Sequence, residues 1–320
     1  MQVFRGVTQA GHDPAAHAGP VPCALTIGNF DGVHYGHRAL LAHLVDAARE
    51  RDLPATVLTF EPHPREYFAP ESAPARLSSL REKLALLADC GVDRVHVCRV
   101  DARFASLTAE QFVDRILCAG LAARHVLIGD DFRYGTRRLG DFGTLKGAGN
   151  ERGFGVEAMH TVDLAGERVS SSAVRACLAG GEIEHAARLL GRPYTIAGRV
   201  MHGSKIGRAI GFPTANIQLK RKKLPLTGVF AVQVDGLGNA PVRGAASLGV
   251  RPTLGAGLAP VLEVHLLDFD RDIYGAHVAV QFLHRLRDEA KYESLDLLKA
   301  QIARDVVAVR AYFESNPTHG

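Results

Sequence analysis

Two histidines, His34 and His37, stand three residues apart in this chain, directly after a glycine-rich turn. If a helix has begun at that point, both imidazoles project to one side of it. Imidazoles donate hydrogen bonds, so the pair suits a polyphosphate onto which negative charge moves during a reaction. A structural histidine pair beside a tight turn is the alternative. A zinc site is disfavoured, because no cysteine or third histidine lies at ligand spacing nearby.

The turn before these histidines joins a predicted strand to a predicted helix. The apolar run from Ala24 to Ile27 indicates a buried strand, and the chain breaks at Gly28. A helix begins near Gly36, and its apolar positions run from Leu40 to Ala48. The N–H groups and the dipole of a helix N-terminus favour a bound anion. We therefore predict an anion site at this turn.

A second candidate phosphate site combines serines with arginines. Ser170, Ser171 and Ser172 precede an apolar-periodic run, which is typical of a helix N-cap. Arg168 and Arg175 flank these serines, and guanidinium groups bind phosphate strongly. An ordinary helix cap with surface arginines is the alternative.

A long glycine-rich connection in the second half carries Gly203, Gly207 and Gly211 at four-residue spacing. Glycines at such positions let backbone amides approach a ligand closely. Thr214 and Asn216 follow, and on an extended chain they point the same way. Their two oxygens suit one Mg²⁺ ion.

Glu263 lies between Leu262 and Val264 on a predicted strand. The period of two places Glu263 and His265 on the face opposite those apolar residues. A solvated surface carboxylate is one interpretation. The other is a general base that takes a proton from an alcohol as the alcohol attacks a phosphate.

The first half of the chain alternates strands with helices, which predicts an α/β fold with a doubly wound parallel sheet. Helix starts are expected near Leu80 and after Thr108, where Ser79 with Glu82 and Thr108 with Gln111 form capping boxes. Ligands of such sheets bind beyond the carboxyl ends of the strands. Three polar or aromatic loops are expected to converge there: Gly28–His37, Phe60–Pro64 and Gly129–Gly135.

The pattern changes after residue 193, where short alternating strands replace the helices. These features predict a small antiparallel β-barrel closed by a C-terminal helix over Leu295–Phe313, with Leu298, Ile302, Val306 and Val309 on its buried face. We divide the chain into domains over residues 1–186 and 187–320. The predicted barrel strands are Thr195–Val200, Val229–Val234, Arg243–Leu248, Val261–Phe269 and His277–Leu283.

Composition bounds the remaining possibilities. The chain has 320 residues, of which 47% are hydrophobic and 22% charged, with a net charge of +4. This charge is too small and dispersed to indicate nucleic acid. The dense basic run Lys220–Lys223 reads as a solvated turn, and Gly11–Pro20 as a loop. Five scattered cysteines and no membrane-length apolar run predict a cytoplasmic protein that does not enter the membrane.

The motifs together resemble those of the bacterial family of bifunctional riboflavin kinases and FMN adenylyltransferases, also called FAD synthetases. The resemblance covers nearly the whole chain. The motifs are Gly28–His37, Thr59–Pro64, Gly129–Gly135, Arg168–Arg175, Gly211–Asn216, Gly228–Ala231, Gly249–Thr253, and Glu263 with Asp268–Gly275.

The resemblance implies two ATP-dependent reactions, phosphorylation of riboflavin to FMN and adenylylation of FMN to FAD. Riboflavin, FMN, FAD and ATP are thus the expected partners, with Mg²⁺ as cofactor. Catalytic roles fall to His34, His37 and Glu263, and metal binding to Thr214 and Asn216. The implied ATP-binding residues are Gly28, Phe30, Asp31, Gly32, His34, His37, Arg168, Ser171, Ser172, Arg175, Gly203, Gly207 and Gly211. The implied flavin-binding residues are Phe60, Pro62, His63, Asp131, Tyr134 and Arg287, the last on a mobile flap after the final strand.

Two other functions stay open at this point. One is a single-activity nucleotidyltransferase with a barrel that has no catalytic role. The other is a flavin-binding regulatory module without turnover. Ser247 stands where the family often has Asn, so the ligand role of that position is undecided.

Overall fold

The computed structural model describes residues 1–7, 20–203, 206–252 and 258–317. The chain forms two compact units. The first comprises Met1–Pro74 and Lys83–Val169, and the second comprises Ala75–Glu82 and Ser170–Gly320. The division of function at residues 186 and 187 stays a prediction. Residues 11–19 of the predicted loop, Ser204 and Lys205 of the glycine-rich connection, and Thr253 lie outside the described residues.

A six-stranded sheet of purely parallel pairs forms the centre of the first unit, in the order β1-β4-β3-β2-β5-β6. The predicted doubly wound sheet is thus confirmed. The edge strands β1 and β6 were not predicted, because neither contains a fully buried residue. The strands are β1 (Gln2–Arg5), β2 (Cys23–Ile27), β3 (Ala55–Glu61), β4 (Arg94–Arg99), β5 (Ala123–Gly129) and β6 (Gly155–Met159). A short hairpin follows, formed by two strands of two residues each, β7 (Asp163–Leu164) and β8 (Glu167–Arg168).

Helices connect these strands, and both predicted capping boxes are present. Ser79 N–H donates to Glu82 Oε2 at 2.5 Å, and Thr108 N–H donates to Gln111 Oε1 at 3.1 Å. The helices are α1 (Tyr35–Glu50), α2 (Pro64–Phe68), α3 (Leu80–Asp89), α4 (Ala102–Ala105), α5 (Ala109–Phe112) and α6 (Phe142–Arg152). A π-helical segment, Val113–Cys118, continues α5, and a 3₁₀ turn spans Thr136–Arg138.

The strand order positions the first candidate site. Strand β2 lies between β3 and β5. The chain therefore adds β3 and β4 along one edge of β2 and later adds β5 and β6 along its other edge. Ligands of such sheets bind at this switch point, beyond the carboxyl ends of the strands. The loops that follow β2 and β5 carry the predicted site residues.

The second unit contains a closed barrel in the order β10-β13-β12-β11-β14-β9, with antiparallel pairing throughout. This confirms the predicted barrel. Its strands are β9 (Tyr194–Met201), β10 (Ala215–Ile217), β11 (Gly228–Asp235), β12 (Val242–Pro252), β13 (Leu258–Leu266) and β14 (His277–Arg287). The three-residue β10 was missed, since its sequence reads as part of the glycine-rich connection.

In the part of the second unit that the structure describes, four helices accompany the barrel: α7 (Ser171–Gly180), α8 (Ile183–Leu190), α9 (Ile206–Ala209) and α10 (Leu295–Ser315). The C-terminal helix is confirmed. Its buried positions are Asp305, Val309 and Phe313. Leu298, Ile302 and Val306, predicted on the buried face, are half-buried. A carboxylate at a buried helix position was not expected, and its partner is described below.

The basic run Lys220–Lys223 is not a wholly solvated turn, because Arg221 is only 6% exposed. Its Nη2 atom donates to Leu77 O at 3.0 Å and to Glu82 Oε2 at 2.5 Å. The other carboxylate oxygen of Glu82 accepts from Ala197 N–H at 2.6 Å. Tyr194 Oη also donates to Leu77 O, at 3.1 Å. These bonds tie the segment Ala75–Glu82 to the barrel, although it comes from the first half of the chain.

Candidate active site

The loop after β2 is held in a strained conformation. Phe30 and Val33 have φ angles of +47° and +39°, and Gly32 has +82°. Positive φ is unusual for any residue with a side chain and is an outlier for a β-branched one. Such strain persists where the surroundings impose it, and here the Phe30 and Val33 side chains are each 1% exposed. The loop therefore has one fixed shape at the carboxyl end of its strand.

The predicted histidine pair is real and stacked. His34 is the N-cap of α1, and its Nδ1 atom accepts the backbone N–H of His37 at 3.3 Å. The two ring centroids lie 3.6 Å apart with planes 19° from parallel. Because Nδ1 of His34 accepts a hydrogen bond, the proton of its neutral ring is on Nε2. His34 therefore carries a donor at that atom, beside the helix N-terminus.

His37 is kept uncharged by its surroundings. Burial, then the neighbouring His34, then Lys83 lower the pKa of His37 well below its ordinary value. Its Nδ1 atom is buried and has no hydrogen-bond partner among the described residues. The ring of Phe30, 5.0 Å away, supports it from the interior. The structure thus makes Phe30 a packing residue of this loop, and Asp31 beside it is 3% exposed.

Lys83 is a buried cation that sequence analysis missed. Its side chain is 3% exposed, and its Nζ donates to Thr59 Oγ1 at 3.3 Å. The Thr59 hydroxyl in turn donates to Asn29 O, also at 3.3 Å, within the strained loop. Lysines are almost never fully buried without partners. A signal existed, since Lys83 stands four residues before the buried Leu87, on the face of α3 where an apolar residue is expected.

Phe60 and Tyr134, two of the predicted flavin-binding residues, belong to a cluster of five aromatic rings. Centroids are 5.5 Å apart for Phe60 and Phe104, 6.2 Å for Phe104 and Phe112, and 5.3 Å for Phe112 and Tyr134. Phe132 stacks on Tyr134 at 5.6 Å. Burial raises the pKa of Tyr134, whose ring a Cβ at Gly140 would approach to 2.6 Å. Phe60 and Tyr134 therefore belong to one apolar cluster, and its other three rings were not predicted.

Two predicted residues of different roles are paired in the first unit. Arg168 Nη2 donates to Asp131 Oδ2 at 2.9 Å. Both side chains are mostly exposed, at 59% and 75%, so the pair itself adds little stability.

His63 is the N-cap of α2, and its Nδ1 accepts from Arg65 N–H at 3.1 Å. Pro62 directly precedes it.

The serines near residue 170 form the expected cap. Ser170 is the N-cap of α7, and its Oγ accepts from Ala173 N–H at 3.1 Å. Ser171 and Ser172 are the first two residues of the helix. Arg175 Nε donates to Ala75 O at 2.7 Å within the second unit. The phosphate-binding role of these residues stays a prediction.

In the barrel, three polar residues form one row across adjacent strands. Asn216 of β10 and Ser247 of β12 both lie directly opposite Glu263 of β13. Residues directly opposite each other in antiparallel strands share a face of the sheet. Leu262 and Val264, which flank Glu263, are at most 1% exposed. The predicted alternation is confirmed, and Glu263 faces away from the apolar interior.

The glycine-rich connection lies against the predicted metal ligands. A Cβ on Gly203 would lie 2.2 Å from Asn216 Nδ2, and one on Gly207 would lie 2.4 Å from Phe212 O and 3.3 Å from Thr214 Oγ1. Glycine at both positions therefore lets the chain pass close to these two side chains. Gly211 has a φ of +90°, and a Cβ placed on it would meet no atom within 4 Å.

Two further contacts complete this region. His265 Nδ1 lies 2.9 Å from Pro213 O, so His265 anchors the turn that leads into Thr214. The Ser247 hydroxyl donates to Glu289 Oε1 at 2.8 Å. A Cβ on Gly249 would overlap the Glu289 carboxylate, so this contact requires glycine there. Glu289 follows the last barrel strand and was not predicted as a site residue.

Arg287 was expected on a flap after the final strand, but it is the last residue of β14 itself. Its Nε and Nη2 atoms donate to the two Asp305 oxygens at 2.8 and 2.7 Å, and its Nη1 donates to Asp288 O at 2.8 Å. Asp305 raises the pKa of Arg287. This bidentate pair explains the buried carboxylate on α10, and it fixes Arg287 at the strand end.

Comparison with known proteins gives a consistent result over both halves. A family model described as FAD synthetase matches residues 17–173, and one described as riboflavin kinase matches residues 190–313. The bifunctional riboflavin kinase/FMN adenylyltransferase of Escherichia coli K12 is 50% identical over 98% of both chains. The Haemophilus influenzae protein of the same name is 46% identical over 98% of this chain and all of its own length.

A crystal structure described as a macrolide-efflux protein from Streptococcus pneumoniae is also similar. It is 30% identical, with a TM-score of 0.80, and the match covers 97% of this chain and 99% of that one. Efflux is the description of that protein alone. Within the ranges that the structure describes here, every helix is too short or too polar to cross a lipid bilayer.

Proposed function

This chain belongs to the family of bifunctional riboflavin kinases/FMN adenylyltransferases, and we propose which of its residues perform each reaction. The enzyme transfers a phosphoryl group to riboflavin to give FMN, and an adenylyl group to FMN to give FAD. We assign the first reaction to the row Asn216, Glu263 and Ser247 in the barrel, and the second to the loop that holds His34 and His37.

Glu263 acts as the general base of the kinase reaction. A ribityl hydroxyl that attacks the γ-phosphorus of ATP must lose its proton, and an acceptor at hydrogen-bond distance speeds that loss. Glu263 is half-buried on the polar face of β13, next to the donors and acceptors of Asn216 and Ser247. The products are FMN and ADP, and no covalent enzyme intermediate is needed.

Thr214 and Asn216 are the proposed Mg²⁺ ligands. A hydroxyl and an amide oxygen are hard donors of the kind that Mg²⁺ prefers. The close passage of Gly203 and Gly207 supports this assignment, because a Cβ at either position would fill the space beside these donors. When bound, Mg²⁺ neutralises charge on the ATP phosphates. The backbone N–H groups near Gly203, Gly207 and Gly211 are proposed to bind the same phosphates.

Glu289 and Arg287 order the chain beside this row. Arg287 is engaged by Asp305, so we propose that it acts on the flavin indirectly, by fixing where the segment after β14 begins. Glu289 of that segment reaches Ser247 in the row itself. In this chain Ser247 therefore serves as a contact for the segment, in place of the ligand role considered for the family's Asn.

The adenylylation reaction is assigned to the histidine loop. A phosphate oxygen of FMN attacks the α-phosphorus of ATP, and pyrophosphate leaves. Its growing negative charge requires fixed donors, which the Nε2 proton of His34 and the N-terminus of α1 supply. His37 stays neutral and holds His34 by stacking and by its backbone N–H. Lys83 adds a positive charge near the same loop.

The remaining predicted contacts are assigned by type. Phe60, Pro62, His63 and Tyr134 are proposed on the flavin side, since Phe60 and Tyr134 share one aromatic cluster. We propose that Asp131 and Arg168 exchange their mutual contact for FMN and phosphate contacts. Gly28, Asp31, Gly32, Ser171, Ser172 and Arg175 stay predicted ATP contacts. All five cysteines are thiols outside disulfides, which is consistent with the proposed location in the cytoplasm.

The observation that carries the kinase assignment is the position of Glu263 opposite Asn216. The test is Glu263→Gln, which keeps the shape and removes the base. We expect kcat for FMN formation to fall by about 10²–10⁴-fold, the usual contribution of a general base. Glu314→Gln, an exposed carboxylate on α10, is the matched control and should leave kcat unchanged. An unaltered kcat in Glu263→Gln would refute the assignment.

A further inference from the structure

The connection between β5 and α6 contains a small loop that backbone hydrogen bonds close. Tyr134 N–H donates to Gly140 O at 3.1 Å, and Gly140 N–H donates to Tyr134 O at 2.9 Å. Within the loop, Thr136 N–H donates to Leu107 O at 2.7 Å, which ties it to the segment before α5. Residues 135–139, called the arginine loop below, are therefore held in one shape from both sides.

Two neighbouring residues of this loop have a left-handed backbone. Arg137 has a φ of +53°, and Arg138 has a φ of +57°. This conformation is disfavoured for any residue with a Cβ, whereas glycine adopts it freely. Such strain is concentrated at ligand sites, where the surrounding structure imposes it. Two adjacent arginines at positions suited to glycine thus point to a role for their side chains.

The charge of these two arginines is not neutralised by the described part of the chain. Both side chains are exposed, and neither forms an ion pair or a side-chain hydrogen bond with a described residue. The nearest carboxylates along the sequence on either side are engaged elsewhere. Asp131 accepts from Arg168 Nη2 at 2.9 Å, and Asp141 caps α6 by accepting from Thr144 N–H at 2.9 Å. The two guanidinium groups are therefore available to an anion from solution.

The sheet places the arginine loop beside the proposed site of FAD formation. Strand β5, which precedes it, pairs in parallel with β2, so the loops after both strands leave the same edge of the sheet. The loop after β2 holds His34. Tyr134, directly before the arginine loop, belongs to the aromatic cluster proposed to contact the flavin. The phosphate of FMN extends from the flavin ring on a ribityl chain, so the arginine loop is suited to receive it.

We propose that Arg137 and Arg138 bind the phosphate group of FMN and thereby select FMN over riboflavin for adenylylation. An oxygen of this phosphate is the nucleophile of the reaction, and riboflavin lacks it, so a productive site must recognise it. Guanidinium groups bind phosphate through two parallel hydrogen bonds. Because the ATP phosphates are assigned to the loop of His34, the two anionic substrates have separate donors. The proposal rests on the assignment of FAD formation to the first unit.

The experiment measures FAD formation from FMN and ATP by full-length Arg137→Gly and Arg138→Gly. Glycine removes the side chain and suits the left-handed backbone, so neither variant should unfold at a lower temperature than the unaltered protein. We expect KM for FMN to rise about 10–100-fold in each variant, the effect of losing a hydrogen bond to a charged group. KM for ATP should stay unchanged. Arg138→Lys, which keeps the charge and loses the planar fork, should give an intermediate KM for FMN.

Arg124→Gln is the matched control, because Arg124 is an exposed arginine near the opposite end of β5. It should leave both KM values unchanged, and riboflavin phosphorylation should be unaltered in every variant. The proposal is overturned if KM for FMN is unaltered in either glycine variant, or if KM for ATP rises in its place. Failure of the underlying assignment gives a different result, since His34→Ala would then form FAD normally.

Discussion

The Nδ1 atom of His34 accepts the backbone N–H of His37 at 3.3 Å, and the two imidazole rings stack 3.6 Å apart. This arrangement places the proton of His34 on Nε2, while burial, His34 and Lys83 lower the pKa of His37 and keep its ring uncharged. The pair is thus a hydrogen-bond donor built from two neutral rings. Its dependence on the neutral state has a measurable consequence for stability.

We predict that acid destabilises the first unit partly through His37. The pKa of His37 is lowered in the folded protein, so between that pKa and about 6.5 only the unfolded chain takes up the proton. Its contribution is therefore full above pH 6.5 and is lost as pH falls. When the pH falls from 7.5 to 5.5, the free energy of unfolding should drop less in His37→Gln than in the unaltered protein. The difference between the two drops should be at most about 1.4 kcal/mol. Urea unfolding at the two pH values measures this.

The control for the acid experiment is an exposed histidine of the same unit. His160 is 95% exposed, so His160→Gln should leave the pH dependence as it is in the unaltered protein. His96 and His125, whose pKa values are also lowered by burial, account for part of what remains. A pH dependence in His37→Gln that matches the unaltered protein would show that His37 is not held neutral by the fold.

A second prediction concerns the buried pair Glu82 and Arg221, whose side chains are 11% and 1% exposed. Glu82→Gln leaves the guanidinium buried without its counter-charge, which typically costs about 3–5 kcal/mol. Thermal and urea unfolding should show this loss for the second unit. Asp268→Asn breaks an exposed pair with Arg310 and should cost at most about 1 kcal/mol. Equal effects of the two substitutions would mean that Arg221 is solvated in solution.

The third prediction tests the proposed metal ligands of the barrel, Thr214 and Asn216, without removing either. In Gly203→Ala the new Cβ would lie 2.2 Å from Asn216 Nδ2, so the Asn216 side chain must move. We expect at least about tenfold more Mg²⁺ to be needed for half-maximal FMN formation, the usual effect of disturbing a ligand's support. Conversion of FMN to FAD in the same variant is the internal control.

Gly147→Ala is the matched glycine control for that experiment, since a Cβ there meets nothing within 4 Å. It should leave the Mg²⁺ dependence of FMN formation unchanged. If Gly203→Ala also leaves it unchanged, Asn216 does not hold the ion.

Much of the fold could be predicted from local pattern. The buried strands β2 and β3 and the caps at Ser79 and Thr108 follow from apolar runs and short-range hydrogen-bond chemistry. The edge strand β1 was missed because its four residues are all exposed, so no hydrophobic signal marks it. The three-residue β10 depends on pairing with distant strands, which no local pattern encodes.

The candidate site was predictable where spacing determines geometry, as for the histidine pair and for the alternation around Glu263. Contacts over long sequence separations were not. Lys83 reaches Thr59 across 24 residues, and Glu289 reaches Ser247 across 42. The run Lys220–Lys223 reads as a solvated turn because dense basic runs usually face solvent. Its three lysines are exposed, whereas Arg221 pairs with Glu82, which lies 139 residues away in the chain.

We propose that two different sets of residues perform the two reactions in sequence. The most direct test supplies His34→Ala and Glu263→Gln with ATP and Mg²⁺, together with either riboflavin or FMN, and follows both products over time. We predict that His34→Ala accumulates FMN from riboflavin without FAD, and that Glu263→Gln converts FMN to FAD but leaves riboflavin unchanged. Loss of both reactions in either correctly folded variant would show that the two reactions do not use separate sets of residues.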